Sequence, residues 1–562
     1  MASPTLPSPF AAKLGTNYCP TDAEVRNIEA LLVRPTQLLQ RLGDEISKLQ
    51  TVLNKLVDER DALQAHVDAH KALISPVRRL PLDIIQEVFL ACLPANRDCV
   101  MSASEAPLLL GRICRSWRTI SQSTPRLWAS LHVVEPSRRA YDRNPISPFL
   151  ERRATLRLAA TRTWLDRSGQ CPLSLSLHSA PEYEDTPEDA TEHSMQFVRM
   201  FVAFAPRWRD VVFTTPVSLV LEVLSHLETK MPLLQSVAFK YCRHRILSVP
   251  INCGSFAMLR GARISKLTMP GSIFVPDRLP VAWHQLTELV VGGPTGEMQE
   301  GLTDSILRVI SRCPGLRCCK LVVSDLSIDI PPDTLAHVEL PFLHTLAIRC
   351  ASSVTAAVSV ILNHLSVPEL REFTLLGSSR ESPSLATFFA GLEYLESVDI
   401  EGNLFSKPGL HETLRCLPPI IKRLKVRDVE GGWDPEPPTV DEDALVVLAT
   451  PGLCPNLEEF AMDNEVSISD EAVLEFITKR MQTPSTTLKQ VKIQFRRHVL
   501  VDVMPNLQPF VDNCGLKVEL NYMSLPFWQF SPWAGLADAP PQQQRITNST
   551  AWAPLPPGSP EW

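Results

Sequence analysis

Long apolar runs, blocks of one charge sign and paired-cysteine spacings are all missing from these 562 residues, and each absence removes a class of protein. Nowhere do eighteen apolar residues follow one another, so no helix is expected to span a bilayer. Met1 to Gly15 has no basic segment leading into an apolar run, which argues against a secretory leader. The formal charge of -7 is small for this length and no Lys/Arg block is present, so neither nucleic acid nor a membrane surface is expected as a partner. The 14 cysteines are scattered without paired spacings, as suits reduced thiols in the cytoplasm or nucleus. Asn548-Ser549-Thr550 fits a glycosylation acceptor but has no secretory route to serve it.

Signatures of catalysis are missing too. There is no Gly-rich phosphate loop, GxSxG elbow, HExxH helix or CxxC pair. Cys313, Cys318 and Cys319 are close, yet no second ligand pair follows at zinc-site spacing. Tyr241-Cys242-Arg243-His244-Arg245 combines thiol, imidazole and positive charge, a mixture that lowers a thiol pKa, but it reads as the polar end of a strand. No enzymatic activity, cofactor or metal is expected.

What is present is organised around Leu80 to Leu131. Pro81 suits a first helical turn, where its missing N–H is not needed, and Asp83 places negative charge at the positive end of the helix dipole. Ile84, Ile85, Val88 and Phe89 then recur at helical spacing, until Pro94 ends the helix. A second helix is expected through Leu110, Ile113, Cys114, Trp117 and Ile120, closing on Pro125-Arg126-Leu127-Trp128. A unit of roughly fifty residues buries too little of its own surface to be secure alone.

The ordered strings LPLDII.EVF, IC.SW and S.P.LW in this stretch resemble the F-box, the helical module that docks on the Skp-type adaptor of cullin-RING ubiquitin ligases. The resemblance implies that Leu80, Pro81, Ile84, Ile85, Val88 and Phe89 supply much of an adaptor-facing apolar surface. It also implies that Cys114, Trp117, Pro125, Leu127 and Trp128 complete a helical core and its rim. Asn96 to Pro107 is longer and more polar than the shortest F-boxes carry.

Before this block, residues 1–20 read as a disordered Pro/Ser leader and residues 21–75 as helix. Thr21 or Asp22 caps a first segment with Val25, Ile28 and Leu32 on one face, and Pro35 is expected to interrupt it. From Leu39 through Leu42, Ile46, Leu49, Leu53, Leu56, Leu63, Val67 and Ile74 the spacing alternates three and four, with Arg60 and His70 at two seam positions. This stretch is either a coiled coil self-associating through residues 39–74 or one amphipathic helix lying back on its neighbour. Ser75-Pro76 stops it. The leucine-rich helix, LISPVRRLP and the F-box-like block together resemble a large class of fungal, basidiomycete-like F-box proteins.

Residues 132–230 read as a transition: a strand at His132-Val133-Val134, a helix over Arg152 to Asp166, an alternating strand at Leu173, Leu175 and Leu177, an acidic loop from Glu182 to Glu192, then a helix from Met195 to Phe204. From 231 to 524 a short pattern, apolar-x-x-apolar-x-apolar, repeats. It stands at Leu234/Val237/Phe239, Leu286/Leu289/Val291, Leu316/Cys319/Leu321, Leu343/Leu346/Ile348 and Leu370/Phe373/Leu375. It continues at Leu395/Val398/Ile400, Ile421/Leu424/Val426, Leu457/Phe460/Met462 and Leu488/Val491/Ile493. Successive steps after Leu286 run from 25 to 36 residues, and the gap after Leu234 has room for one more copy near Leu259/Ile264 or Ile264/Leu267. The tract resembles leucine-rich repeats, which implies a solenoid of alternating strand and helix. Only Leu395/Val398/Ile400, followed by Asn403, carries the family's asparagine, so the repeats are degenerate. A doubly wound sheet is the structural alternative. Glu430 to Glu442 reads as a surface insertion or a recognition loop, and 525–562 as a Pro-rich flexible tail, with a tryptophan cap over the last repeat as the alternative.

The expected fold is therefore α + α/β: a long N-terminal helix or coiled coil, a small all-helical F-box at 76–131, then an irregular leucine-rich-repeat solenoid. The resemblance implies a substrate-recognition subunit of an SCF-type ubiquitin ligase, with an unknown protein target. A non-ligase scaffold and an enzyme with an unrecognised site are the alternatives.

Overall fold

The computed structural model describes residues 8–136, 148–179, 188–215, 230–240, 256, 259–270, 276–292, 302–323, 337–350, 355–377, 382–428, 439–465, 468–483, 486–495, 497 and 499–522. The chain divides into two compact units, Met1–Val88 and Phe89–Trp562.

In the first unit a single helix, α1 (Asp22–Leu73), runs for 52 residues. Thr21 is its N-cap, and the Thr21 amide donates to Glu24 at 2.9 Å to close a capping box. Ahead of it, a 3-10 turn at Ala11–Lys13 is tied down where Lys13 meets Glu24 at 2.9 Å and lies over the Tyr18 ring. Pro35 does not interrupt α1, contrary to expectation. Proline removes one i to i−4 hydrogen bond, but the carbonyl it leaves belongs to Leu31, which is exposed and so open to water, and good helix formers flank it on both sides. A 3-10 turn, Pro76–Arg79, follows, and α2 (Leu82–Ala91) begins the F-box-like segment.

The second unit is built on a 14-stranded sheet among the described residues. Its strands are β1 (Ser130–Val134), β2 (Leu173–His178), β3 (Trp208–Thr214), β4 (Ser236–Lys240), β5 (Lys266–Pro270), β6 (Glu288–Gly292) and β7 (Cys318–Val323). A two-residue strand, β8 (Val338–Glu339), precedes β9 (Thr345–Cys350), and β10 (Leu365–Ser366) pairs with β8 in a small separate sheet. The main sheet goes on through β11 (Glu372–Gly377), β12 (Ser397–Glu401), β13 (Arg423–Arg427), β14 (Glu459–Glu465), β15 (Gln490–Phe495) and β16 (Lys517–Asn521). Every pairing is parallel, and spatial order follows chain order throughout. Parallel neighbours need a crossover, supplied between the later strands by helices such as Leu302–Ile310, Thr355–Asn363, Lys407–Arg415 and Asp470–Gln482.

All nine repeats read from the sequence place their second and third apolar residues on a strand, and the first is buried just ahead of it. The copy between Leu234 and Leu286 is Ile264/Leu267, on β5. Prolines stand in the turns that precede several of the strands. In Cys313-Pro314-Gly315-Leu316 and Cys454-Pro455-Asn456-Leu457 the fourth amide bonds the first carbonyl at 3.2 Å, with proline at the second place of the turn, where its fixed φ fits. The residue after each such leucine joins a backbone ladder of its own. Arg317 N donates to Thr287 O, His344 N to Arg317 O, Arg371 N to His344 O and Glu396 N to Arg371 O, at 2.8–2.9 Å, so the turns as well as the strands are hydrogen-bonded to their neighbours.

Three further expectations are corrected. The segment 110–122 is not one helix but two, α3 (Leu110–Ile113) and α4 (Arg115–Gln122). They are broken at Cys114, whose backbone is extended (φ -155°, ψ 169°) and whose Sγ accepts from the Trp117 amide as an N-cap. The F-box-like segment is not wholly helical, because β1 starts within it at Ser130 and Val100 bridges to His132. The acidic stretch is helical from Glu188, since α6 (Glu188–Val202) starts earlier than its apolar periodicity does. Ahead of it, α5 (Pro148–Arg167) covers the helix expected over Arg152 to Asp166.

The far end of the sheet is held by a buried ion pair. Asp470 is 0% exposed and takes two bonds from Arg497, at 2.9 and 3.1 Å, two from the Leu500 and Val501 amides and one from the Tyr522 hydroxyl. Arg497 also lies over the Phe495 ring, which stacks on Tyr522 with centroids 4.6 Å apart.

Candidate functional site

In the first unit, the residues singled out by the F-box resemblance sit on a short exposed stretch. Leu80, Pro81, Ile84 and Val88 are exposed and Ile85 is half-buried. Leu82, not among the sequence-derived site residues, is 55% exposed as well, although as the first residue of α2 it stands on the side of Ile85 and Phe89. Helical spacing divides the residues after it. Ile85 and the buried Phe89 are four apart on one side of α2, while Ile84 and Val88 are four apart on the side left to solvent.

In the second unit, Phe89 is fully buried and its ring meets Trp117 with centroids 4.8 Å apart. Trp117 is itself half-buried, and Cys114 and Pro125 are exposed. Leu109 and Ile113, beside them in sequence, are exposed aliphatics. Leu127 and Trp128 are core residues on the 3-10 turn Pro125–Trp128. The Trp128 indole donates to the Ser121 carbonyl at 2.8 Å, meets Trp164 edge-on at 4.8 Å and lies under the Arg167 guanidinium. The Trp128 indole thus ties the end of α4 to Trp164 on α5.

Sequence reasoning missed the residue that secures the long polar segment 96–107. Asp98 accepts from the hydroxyls of Ser130, Ser174 and Ser176 at 2.7–2.8 Å, so one carboxylate grips β1 and β2 together. Ser176 also meets His132 Nδ1 at 2.8 Å, and burial first, then the neighbouring His178, pulls the His132 pKa down. The partners lie 32 to 78 positions from Asp98 in the chain, and no local signal links them.

The strand face turned away from the buried leucines offers a second surface. Its charges neutralise one another across strands. Lys266 meets Glu288 at 3.1 Å, Arg423 meets Glu372 at 3.1 Å, and Arg427 and Lys425 pair with Asp399 and Asp463 on either side of β13. Glu401, whose carboxyl burial pushes up in pKa, accepts from the Gly377 amide at 2.6 Å. Gly377 has φ +133°, and a Cβ there would stand 2.6 Å from the Cys350 carbonyl, so only glycine fits.

Six thiols in this unit are set against reactivity by their surroundings. Burial raises Cys99 and Cys454 to about 11 and Cys313 and Cys350 to about 12, and raises Cys318 and Cys319 as well. Among the described residues no group of three or more His, Cys, Asp or Glu is placed to hold a metal, and no helix is long and apolar enough to cross a membrane. Residues 241–245, most of the 430–442 insertion and the tail from 525 lie outside the described residues. No protein-family model and no curated protein matches the chain.

Proposed function

We propose that this chain is the substrate-recognition subunit of an SCF-type cullin-RING ubiquitin ligase, acting in the cytoplasm or nucleus. In this reading residues 76–131 are an F-box that docks on a Skp-type adaptor through Leu80, Pro81, Ile84, Ile85, Val88 and Phe89. Cys114, Trp117, Pro125, Leu127 and Trp128 form the supporting core and rim. The parallel strands belong to an irregular leucine-rich-repeat solenoid whose open face meets a protein target. The chain has no chemistry of its own to perform and needs no metal or cofactor. It holds the target beside ubiquitin-charged subunits, and the gain is in effective concentration.

The observation that carries the reading is the exposure of Leu80, Leu82, Ile84 and Val88 within nine residues. Leaving four large aliphatic side chains in water is unfavourable unless a partner covers them. The unbroken agreement of strand order with chain order supports the solenoid, because a doubly wound sheet reverses its order at a switch point.

Leu80→Ala together with Pro81→Ala tests the docking reading in the full chain. The pair is expected to weaken capture by a Skp-type adaptor by about tenfold or more, the scale of truncating contact side chains, while the melting of the sheet is unchanged. Undiminished capture would count against adaptor docking at this surface.

A further inference from the structure

The longest apolar surface of the first unit is not used by the reading above. Along α1 the heptad residues from Leu39 to Val67 are 43–70% exposed wherever they are aliphatic. In heptad terms Leu42, Leu49, Leu56 and Leu63 occupy four successive d positions, and Ile46 and Val67 stand among the a positions. Side-chain bonds such as Gln50 to Asn54 and Gln64 to Asp68 run along the flank and leave this seam uncovered. At 52 residues the helix spans roughly 78 Å.

We propose that the seam of α1 pairs, in parallel and in register, with the same seam of a second copy of this chain, so that the protein is a homodimer joined by a two-stranded coiled coil. Three features of the chain select that occupant. The first is self-complementarity: leucine at d with β-branched residues among the a positions is the two-stranded parallel pattern, and an in-register pairing stacks each layer on its own copy. The second is the flanking residues. In parallel register Glu45 faces Gln50, Val52 faces Val57 and Glu59 faces Gln64 of the other copy, like with like and without a carboxylate pair. An antiparallel pairing over the full length would instead set Glu45 against Val52 and Glu59 against Leu38. Arg60, the polar residue at an a position, is flanked in the parallel arrangement by Glu59 of the second copy, and a charged a residue answered in this way fixes register. The third is area. At roughly 60 Å² for each aliphatic seam residue, the scale of burying one such side chain, two helices remove on the order of 1,000 Å² from water before the flanks are counted, near the range of stable interfaces.

Sedimentation equilibrium of the full chain at micromolar concentration tests this, and the mass expected is twice the 62.6 kDa of one chain. Leu49→Glu with Leu56→Glu, both at exposed positions that keep a helix former, is expected to return a single-chain mass with the melting of the sheet unaltered. Leu42→Cys is expected to give a disulfide-linked pair on mild oxidation, above the level of the unsubstituted chain, because d residues face their own copies only in the parallel in-register arrangement. A single-chain mass for the unsubstituted protein, a dimer that survives the glutamates, or a Leu42→Cys chain that does not cross-link would each overturn the proposal. None of these measurements involves adaptor capture, so the dimer and the receptor reading stand or fall separately.

Discussion

Asp470→Ala is expected to destabilise the last strands of the sheet by about 3–5 kcal/mol, the scale of removing one partner from a buried ion pair. The cost arises because Arg497 keeps its charge in a site with little solvent, and the Leu500 and Val501 amides and the Tyr522 hydroxyl lose their acceptor. The pH dependence follows from the same contacts. Burial alone would raise the Asp470 pKa, but Arg497, the two amides and the tyrosine outweigh it and hold the carboxyl at about 2, against 3.8 for a free aspartate. A carboxyl with a depressed folded pKa contributes stability above its unfolded pKa and loses it as pH falls towards the folded value. The gap in stability between wild type and Asp470→Ala should therefore be full near neutrality and shrink between pH 3.8 and about 2. Denaturant unfolding across that range checks both parts. A variant within about 1 kcal/mol of wild type at pH 7, the ordinary effect of a point mutation, would remove the pair from its structural role.

Trp128→Ala is the second large effect, because the indole ties the end of α4 to the buried Trp164 on α5. It is 2% exposed, bonds the Ser121 carbonyl and packs on Trp164. Truncating a buried tryptophan costs about 3–5 kcal/mol, which is more than a hundredfold in an opening equilibrium. The loss should be local. Backbone amides of residues 110–134 are expected to exchange with solvent at least a hundredfold faster, while those of β11 to β15 keep their protection. Equal acceleration along the whole sheet, or none, would contradict the anchoring role.

The parts of this structure that could be read in advance are those repeated in the sequence. A buried leucine, a turn and two alternating core residues recur at Leu316/Cys319/Leu321 and its relatives, and each copy dictates one strand by its local pattern. Where the pattern was weaker the reading fell short. Trp208 to Thr214 forms β3 although it opens on a tryptophan rather than a leucine, and β16 presents mostly exposed residues because it lies at the end of the sheet. Pro35 carries the local cost of a break, which the long helix around it absorbs, and Cys114 has helical spacing although its sulfur caps the next helix. Asp98 and Asp470 were out of reach, since their partners come from strands and turns tens of residues away. The apolar residues of Leu80 to Val88 were legible as a stripe, but which of them face solvent was settled only by the buried Phe89 four residues beyond Ile85.

Adaptor docking by that stripe is the claim on which the functional account rests. Its most direct test is to titrate a purified Skp-type adaptor into the full-length protein by calorimetry, alongside the chain carrying Ile84→Glu and Val88→Glu. Both positions are exposed, at 45% and 46%, so a change there leaves the core intact. The account predicts one adaptor bound per chain for the wild-type protein and no measurable heat of binding for the variant at the same melting temperature. No binding by the wild type, or equal binding by both, would contradict it.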